Sequence, residues 1–467
     1  MQLKKGTEIE ITVKYLNISG RGVAEAQIEG QDYFVAVDGL FPGDKAIIAI
    51  SKIKKKYLEG ELIKLLKKSP HRVPAHSDHA EICGGSQWEV LDYAYQLDIK
   101  QTEVTRILSN IQQEQCQILP IIPTENIWNY RNKMQYSFGY DVNMSPVLGL
   151  HEYGRKFDVF DVQDCHLADP ICNELISFFR QECFANGLTP FSFRSNTGDL
   201  KDLTIRISKY SGDVLVVLTV THECDLKLAK SILGQAAKTF TRVKSWYIEA
   251  VTTKRGTPTT KNLIHVSGEE SIIETIQVGG KNLDFEITPE AFFQPNSEAS
   301  AKIYNQVLDF AELSGNEVVY DLFCGTGTIG ICLASKSKQV YGLDLVEKSI
   351  ELAQKNSVRN KLSHTKFIAG DAFKVFKDLN WPAAEVVVVD PPRAGLSPGL
   401  IELIVKLSPK KIIYVSCNIK SFCQDILEFA NHGYKLKTLQ PVDQFPHTKH
   451  LEVVAEIVSY TVNSPSL

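Results

Sequence analysis

The chain has 467 residues, a formal net charge of −4, 43% hydrophobic residues and 23% charged ones. That length exceeds what one core normally serves, so two or three domains are expected, and the near-neutral balance excludes a wholesale basic protein, leaving any nucleic-acid contact to a local patch. No apolar run approaches the roughly 18 residues of a membrane span and the start lacks an apolar leader core, so a cytoplasmic, monomeric protein without membrane contact is expected.

Residues 1–66 read as short alternating strands: Ile9-Ile11-Val13, Ala24-Ala26-Ile28, Tyr33-Val35-Val37 and Ala46-Ile48-Ile50, separated by Gly20, Gly30 and Pro42-Gly43 turns. The spacing predicts a small barrel. Lys52, Lys54, Lys55, Lys56, Lys64, Lys67, Lys68 and Arg72 then make a cationic segment suited to phosphate. Gly20-Arg-Gly-Val-Ala-Glu-Ala26 and Val35-Ala-Val-Asp-Gly-Leu-Phe-Pro-Gly-Asp44 together resemble a TRAM domain, an OB-like RNA-binding barrel, over residues 1–68. Ser69 to Pro74 reads as a linker.

The ten cysteines are scattered without paired spacing, which fits a reduced compartment better than a disulfide framework. Between 125 and 285, strand-like pieces (Met134 to Phe138, Leu203 to Ile207, Val214 to Val220) mix with helical ones (Pro170 to Phe184, Lys227 to Phe240), an α+β pattern. Arg131, Lys133, Arg155 and Lys156 are candidates for phosphate contact, with plain surface charge as the default. The expected division is 1–68 for the barrel, 69–285 for the linker and central α+β domain, and 286–467 for a catalytic domain.

From about 286, apolar strand runs alternate with helix-period segments, which means a parallel sheet wrapped by helices. The strands are expected at 318–323, 339–345, 365–369, 385–390 and 411–415, with a closing antiparallel pair at 435–439 and 451–458. Asp321-Leu-Phe-Cys-Gly325-Thr-Gly327-Thr-Ile-Gly330 joins the first strand to the first helix and satisfies G-x-G-x-x-G. Asp344 ends the next strand, where an acid accepts hydrogen bonds from ribose hydroxyls. The motif alone does not separate NAD from S-adenosylmethionine (SAM). Asp321 favours SAM, because a carboxylate beside the glycines suits an ammonium group and not a pyrophosphate. Asp371 and Asp390 close the next two strands, and Cys417 follows the fifth. A strand-end cysteine is either a buried hydrophobe or a nucleophile.

Phe292-Phe-Gln294-Pro-Asn296, the 321–330 loop, Asp390-Pro-Pro-Arg-Ala-Gly-Leu396, Ser416-Cys417-Asn418 and Pro446-His-Thr-Lys-His-Leu-Glu452 occur in that order. As a set they resemble the RNA uracil-C5 methyltransferases, which make 5-methyluridine in tRNA and 23S rRNA. The resemblance implies a Rossmann-like SAM-dependent methyltransferase domain behind the TRAM barrel. It implies Gln294, Phe323, Thr328, Asp344, Asp371 and Asp390 as SAM-site positions, Cys417 as nucleophile and Glu452 as base. It also implies an RNA partner, 23S rRNA ahead of tRNA. An RNA-binding protein with a vestigial catalytic domain and an NAD-dependent oxidoreductase stay open as other readings.

The chain departs from that family at one place. Many members hold a 4Fe–4S cluster on four cysteines, and here the corresponding positions are Ser77, Cys83, Ser86 and Cys165. No iron–sulfur cluster and no metal ligand set is expected. Milder departures are Ile419 after Ser-Cys-Asn and Asp344 in place of Glu.

Overall fold

The computed structural model describes residues 3–460 apart from 18, 110, 112–115, 156, 193–194, 254–257 and 379–380. Lys156 therefore lies outside the described residues. The chain forms two compact units: Met1–Arg106 with Phe445–His450, and Ile107–Gln444 with Leu451–Leu467.

The first unit holds a six-stranded sheet built from β1 (Glu8–Thr12), β2 (Tyr15–Leu16), β3 (Gly22–Ile28), β4 (Gln31–Val37), β5 (Lys45–Lys54) and β6 (Tyr57–Lys67), in the order β1-β5-β6-β4-β3-β2. Only β4 and β6 pair in parallel. The alternating apolar positions face one core, with Ile11, Ala24, Val35, Val37, Ala46, Ile48 and Leu58 all buried. Two strands are not legible as such. β2 has two residues, and β6 belongs to what reads as a cationic tail because Lys54, Lys55 and Lys56 form its hairpin turn. Three register shifts between β5 and β6 blur the alternation that marks a strand.

The cationic segment divides in two. Arg72 is structural: its Nε and Nη2 donate to the fully buried Asp44 carboxylate at 2.9 and 2.7 Å, and Nη2 also donates to the Gly39 carbonyl. Asp44 takes the Phe41 and Ser69 amides as well, so a buried charge is fully satisfied. Lys55, Lys56, Lys64, Lys67 and Lys68 are exposed and make no ion pair among the described residues. Helix α1 (Tyr93–Ser109) follows.

In the second unit β7 (Gln117–Ile118) precedes β8 (Lys133–Tyr140), β9 (Pro146–His151), β10 (Val159–Asp161), α2 (Ile171–Ala185), β11 (Leu200–Ile207), β12 (Val214–Thr221), α3 (Leu226–Thr239), β13 (Val243–Thr252) and β14 (Thr260–Gly268). Strands β8 to β14 form a seven-stranded sheet ordered β10-β9-β8-β11-β12-β13-β14, parallel only between β12 and β13. A hairpin, β15 (Ile272–Val278) and β16 (Lys281–Ile287), leads to α4 (Ser297–Ala311).

The alternation that follows is β17 (Val318–Leu322), α5 (Thr328–Ala334), β18 (Gln339–Asp344), α6 (Glu347–Arg359), β19 (Thr365–Ala369), α7 (Ala372–Asp378), β20 (Val386–Val389), α8 (Pro398–Lys406), β21 (Lys411–Ser416), α9 (Ile419–Asn431), β22 (Tyr434–Val442) and β23 (Glu452–Ser459). The expected helix end at Leu379 lies outside the described residues. The sheet order is β19-β18-β17-β20-β21-β23-β22-β7, so β23 enters between β21 and β22. Strands β17 to β21 are parallel, and β23 runs against β21. One edge of the sheet therefore collects the carboxyl ends of β17 to β22 and of β7, together with the amino end of β23. That edge is where open α/β sheets place ligands.

Candidate active site

The glycine loop leaves β17 through Phe323, held at φ 65° in the left-handed region, and reaches α5 through Gly325 and Gly327 at φ 52° and 80°. Left-handed backbone at a non-glycine residue is strain that its surroundings must maintain. Two acids hold the loop. Asp344 accepts the Gly325 and Val346 amides at 3.0 and 2.9 Å. Asp321, fully buried, accepts the Gly330 amide at 2.8 Å through Oδ2, while its Oδ1 has no partner. Burial pushes the Asp321 carboxyl up to about 8, with Asp390 and Asp344 adding repulsion against the Gly330 hydrogen bond. Thr328 takes a bond from the buried Tyr304 hydroxyl at 3.4 Å.

The second half of the site lies two strands along. Ser416 pairs with Val453 across β21 and β23, so Cys417 and Glu452 stand opposite each other one step beyond. Asn418 caps α9 through the Lys420 amide, which sets the half-buried Cys417 just before a helix amino end, where the dipole favours a thiolate. Asn418 Nδ2 and Ser421 Oγ donate to the Arg393 carbonyl at 2.8 and 3.1 Å, tying the 390–396 loop to this turn. The same loop is fixed at its far end by Asp425, which accepts the Leu396 amide and the Tyr414 hydroxyl.

Arg393 thereby comes against Cys417 and Glu452. Burial pushes the Cys417 thiol up, and Glu452 and Asp390 push the same way while the Arg393 guanidinium opposes them. Glu452 is 3% exposed, and its burial, with Asp390 nearby, holds its carboxyl well above the usual range against the pull of Arg393. Burial alone takes Asp390 up to about 7. This edge thus carries buried acids whose carboxyls are pushed up, a guanidinium and a thiol. The other thiols near it are packed: Cys423 is buried and pushed up to about 11, and Cys324 is buried inside the glycine loop.

Gln294 lies on the approach to α4, and its Oε1 accepts from Gln444 Nε2 at 2.8 Å. Asn132 Nδ2 donates to the Gln294 carbonyl and Asn296 Nδ2 to the Gln444 carbonyl. Asp371 Oδ1 caps its own turn, accepting the Phe373 amide. Three contributors carry no assignment from sequence: Arg393, Gln444 and Asn132. Arg393 and Gln444 lie inside quoted motifs, so a signal existed, whereas Asn132 had none beyond its place in a basic tetrapeptide.

The residues at the expected cluster positions do not fit four-thiolate ligation. The Ser77 amide and hydroxyl both donate to the buried Glu89 carboxylate, at 2.9 and 2.6 Å. Cys83 is buried, and its Sγ accepts from the Gly85 amide at 3.3 Å. Of the phosphate candidates farther on, Lys133 is exposed at the start of β8.

Comparison with known proteins matches residues 208–457 to the tRNA (uracil-5-)-methyltransferase family and residues 2–63 to the TRAM domain. An uncharacterized RNA methyltransferase of Caldanaerobacter subterraneus subsp. tengcongensis is 32% identical over 97% of this chain and 99% of its own length. One of Bacillus cereus is 33% identical over 97% of both chains. Among solved structures, the Pyrococcus abyssi tRNA (uracil-54, C5)-methyltransferase in complex with S-adenosyl-L-homocysteine aligns with a TM-score of 0.76 and 25% identity, covering 96% of this chain and 99% of that one. With an amino-terminal TRAM domain and a family match over more than half its length, the chain belongs to the tRNA (uracil-5-)-methyltransferase family of RNA-methylating enzymes.

Proposed function

We propose that this protein methylates C5 of a uridine in structured RNA, with SAM as methyl donor and a covalent bond between Cys417 and C6 of the base as intermediate. The observation that carries the reading is the meeting of Cys417, Glu452, Asp390 and Arg393 at one sheet edge.

The residues fit the donor. Gly325 and Gly327 open backbone to close approach, Asp344 faces the loop, and the orphaned Oδ1 of Asp321 awaits a cation such as the ammonium of SAM. Gln294, Phe323, Thr328, Asp371 and Asp390 complete the set that would hold it. When bound, SAM supplies a methyl group made electrophilic by its sulfonium.

The chain's own residues do the rest. Uracil C5 is a weak nucleophile, and addition of the Cys417 thiolate to C6 turns the ring into an enolate with electron density on C5. Arg393 and the α9 amino end favour that thiolate against burial. After methylation C5 carries both a methyl and a proton. Glu452 takes the proton, the C5–H electron pair restores the C5–C6 double bond, and the C6–S bond breaks to release Cys417. Bonding of sulfur to C6 removes the negative charge beside Glu452, which lets this carboxyl ionise and serve as base. A uridine inside folded RNA must leave its stack to reach such an edge, at a cost of a few kcal/mol. The exposed lysines of β6 and its turn suit the phosphates that hold the strand.

The three-part division at residues 68 and 285 and a monomeric, cytoplasmic enzyme belong to the same proposal. So does 23S rRNA as first substrate, with tRNA, the substrate named for the Pyrococcus abyssi protein, as second. The test is methyl transfer from radiolabelled SAM to 23S rRNA and tRNA transcripts, with mass mapping of the product nucleoside. Label in 5-methyluridine supports the reading. Label in any other nucleoside, or SAM binding without transfer to any RNA, defeats it.

A further inference from the structure

One polar atom at this edge has no place in the scheme above. Gln444 is fully buried, and its side-chain carbonyl Oε1 has no hydrogen-bond partner. Buried amide oxygens without partners are uncommon, and each asks for an explanation. The side chain is not loose. Its Nε2 donates to Gln294 Oε1 at 2.8 Å, its carbonyl takes Asn296 Nδ2 at 3.1 Å, and its amide meets the Val442 carbonyl at 3.1 Å. Gln294 is anchored in turn by Asn132, and its own Nε2 bonds to no described residue. The two amides thus form a rigid unit that presents one acceptor, Gln444 Oε1, and one donor, Gln294 Nε2.

The register says which ligand this unit faces. Val442 pairs with Glu452 across β22 and β23, and Cys417 lies opposite Glu452 from β21. Gln444 follows Val442 by two residues, so it stands beside the thiol and the acid. The glycine loop springs from β17, four strands from β22 in the sheet, or about 19 Å at the usual strand spacing. The nucleophile's strand lies between the two. Gln444 therefore lies past the end of the strand that flanks Glu452, and its partner Gln294 follows Phe292, whose carbonyl takes the Thr326 hydroxyl of the glycine loop, so the amide pair stands between the acid and the loop that would hold the methyl donor.

We propose that Gln444 determines which pyrimidine is accepted: its Oε1 receives the N3–H of the target uracil while Gln294 Nε2 donates to the neighbouring O4. Uracil offers a donor and an acceptor in that order. Cytosine offers an acceptor at N3 and a donor at its amino group, so both contacts become repulsive. This deepens, and rests on, the uridine reading of the preceding subsection. It also gives Gln294 a second role beside the cofactor position implied by resemblance.

The test compares methylation of the RNA that the wild-type enzyme modifies, resynthesised with uridine or 3-methyluridine at the target. The added methyl removes the N3–H and fills the space before Oε1. Wild type should prefer uridine by at least about 100-fold in kcat/KM, as sites built around a substrate N–H do. Gln444→Ala should lose roughly 10- to 100-fold on uridine, while its preference over 3-methyluridine falls to within about 10-fold, because acceptor and obstruction go together. Gln444→Met, close to the native side chain in size, should show the same loss on uridine, and S-adenosylhomocysteine should titrate both variants with wild-type affinity. An undiminished preference in Gln444→Ala, full uridine activity in Gln444→Met, or a parallel loss of S-adenosylhomocysteine affinity would overturn the assignment. Failure of the uridine reading itself shows earlier, as a wild-type enzyme that methylates no RNA.

Discussion

The buried carboxyl of Asp321 makes ligand affinity a function of pH, and the sign can be worked out. With its titration near 8, Asp321 in the free protein is about one-hundredth ionised at pH 6 and half ionised at pH 8. Only the ionised form pairs with an ammonium group. Affinity for SAM or S-adenosylhomocysteine should thus rise with pH by the factor that separates the two forms, most of it between about pH 6 and 8, and flatten near 8, where the ligand's own amine begins to lose its proton. Asp321→Asn keeps an acceptor for the Gly330 amide but cannot ionise. It should bind about 10- to 100-fold more weakly at pH 8, the worth of one hydrogen bond to a charged group, and converge on wild type at pH 5. Stability moves the other way. An acid whose folded pKa is raised draws the native state down as pH climbs from about 4 to about 8, so the advantage of the asparagine variant in Tm should grow over that window. Isothermal titration of S-adenosylhomocysteine at four pH values, with melting curves at the same values, measures both. A variant with wild-type affinity and wild-type pH slope would refute the placement of the ammonium at Asp321.

Cys417→Ala should abolish methylation while leaving S-adenosylhomocysteine affinity unchanged, and RNA carrying 5-fluorouridine at the target should trap the wild-type protein as a denaturation-resistant adduct, because fluorine cannot leave as a proton does. Full turnover by the alanine variant would end the covalent scheme. Glu452→Gln should slow release by about 100-fold or more and let a methylated protein–RNA adduct accumulate on gels. Sustained turnover without adduct would remove Glu452 from the base role. Anaerobically purified protein should contain little iron or sulfide, and Glu89→Ala should lower Tm by roughly 5 °C, because Ser77 loses its buried acceptor. Stoichiometric cluster content, lost in Cys83→Ala, would contradict this.

The catalytic half was legible because its strands are buried on both faces and read as continuous apolar runs, as Val386 to Val389 does. The central part was less so. β14 is an edge strand with no buried residue and no alternation to read, and β10 is three residues long. Helix α4 did leave a trace: Asn296 accepts the Ala299 amide as its cap, and Ile303, Tyr304, Val307 and Leu308 follow at helical spacing. Reading 292–296 only as a motif hid it. The site divides in the same way. Cys417 and the four strand-end acids sit in local loop motifs, so their neighbours in sequence reveal them. The Gln294–Gln444 contact spans 150 residues and exists only because β23 enters the sheet between β21 and β22. Arg72 misled for a related reason: its partner Asp44 lies 28 residues back, so a structural ion pair reads as part of a charge run.

The site also shows how one edge can serve two opposed demands. A thiolate at Cys417 is favoured by Arg393 and disfavoured by an ionised Glu452, yet Glu452 must be ionised to act as base. Burial settles the order. With the Glu452 carboxyl held far above its usual range, the acid is neutral in the free site, which leaves the guanidinium to favour the thiolate against Asp390. Attack comes first under those conditions. Once sulfur is a neutral thioether, its charge no longer opposes ionisation of Glu452, and Arg393 favours that ionisation against burial and Asp390. A single arginine, fixed through its own carbonyl by Asn418 and Ser421, thus assists both steps in turn. Replacing it with an uncharged residue should shift adduct formation with 5-fluorouridine RNA to higher pH and slow release as well, whereas loss of Glu452 should affect release alone.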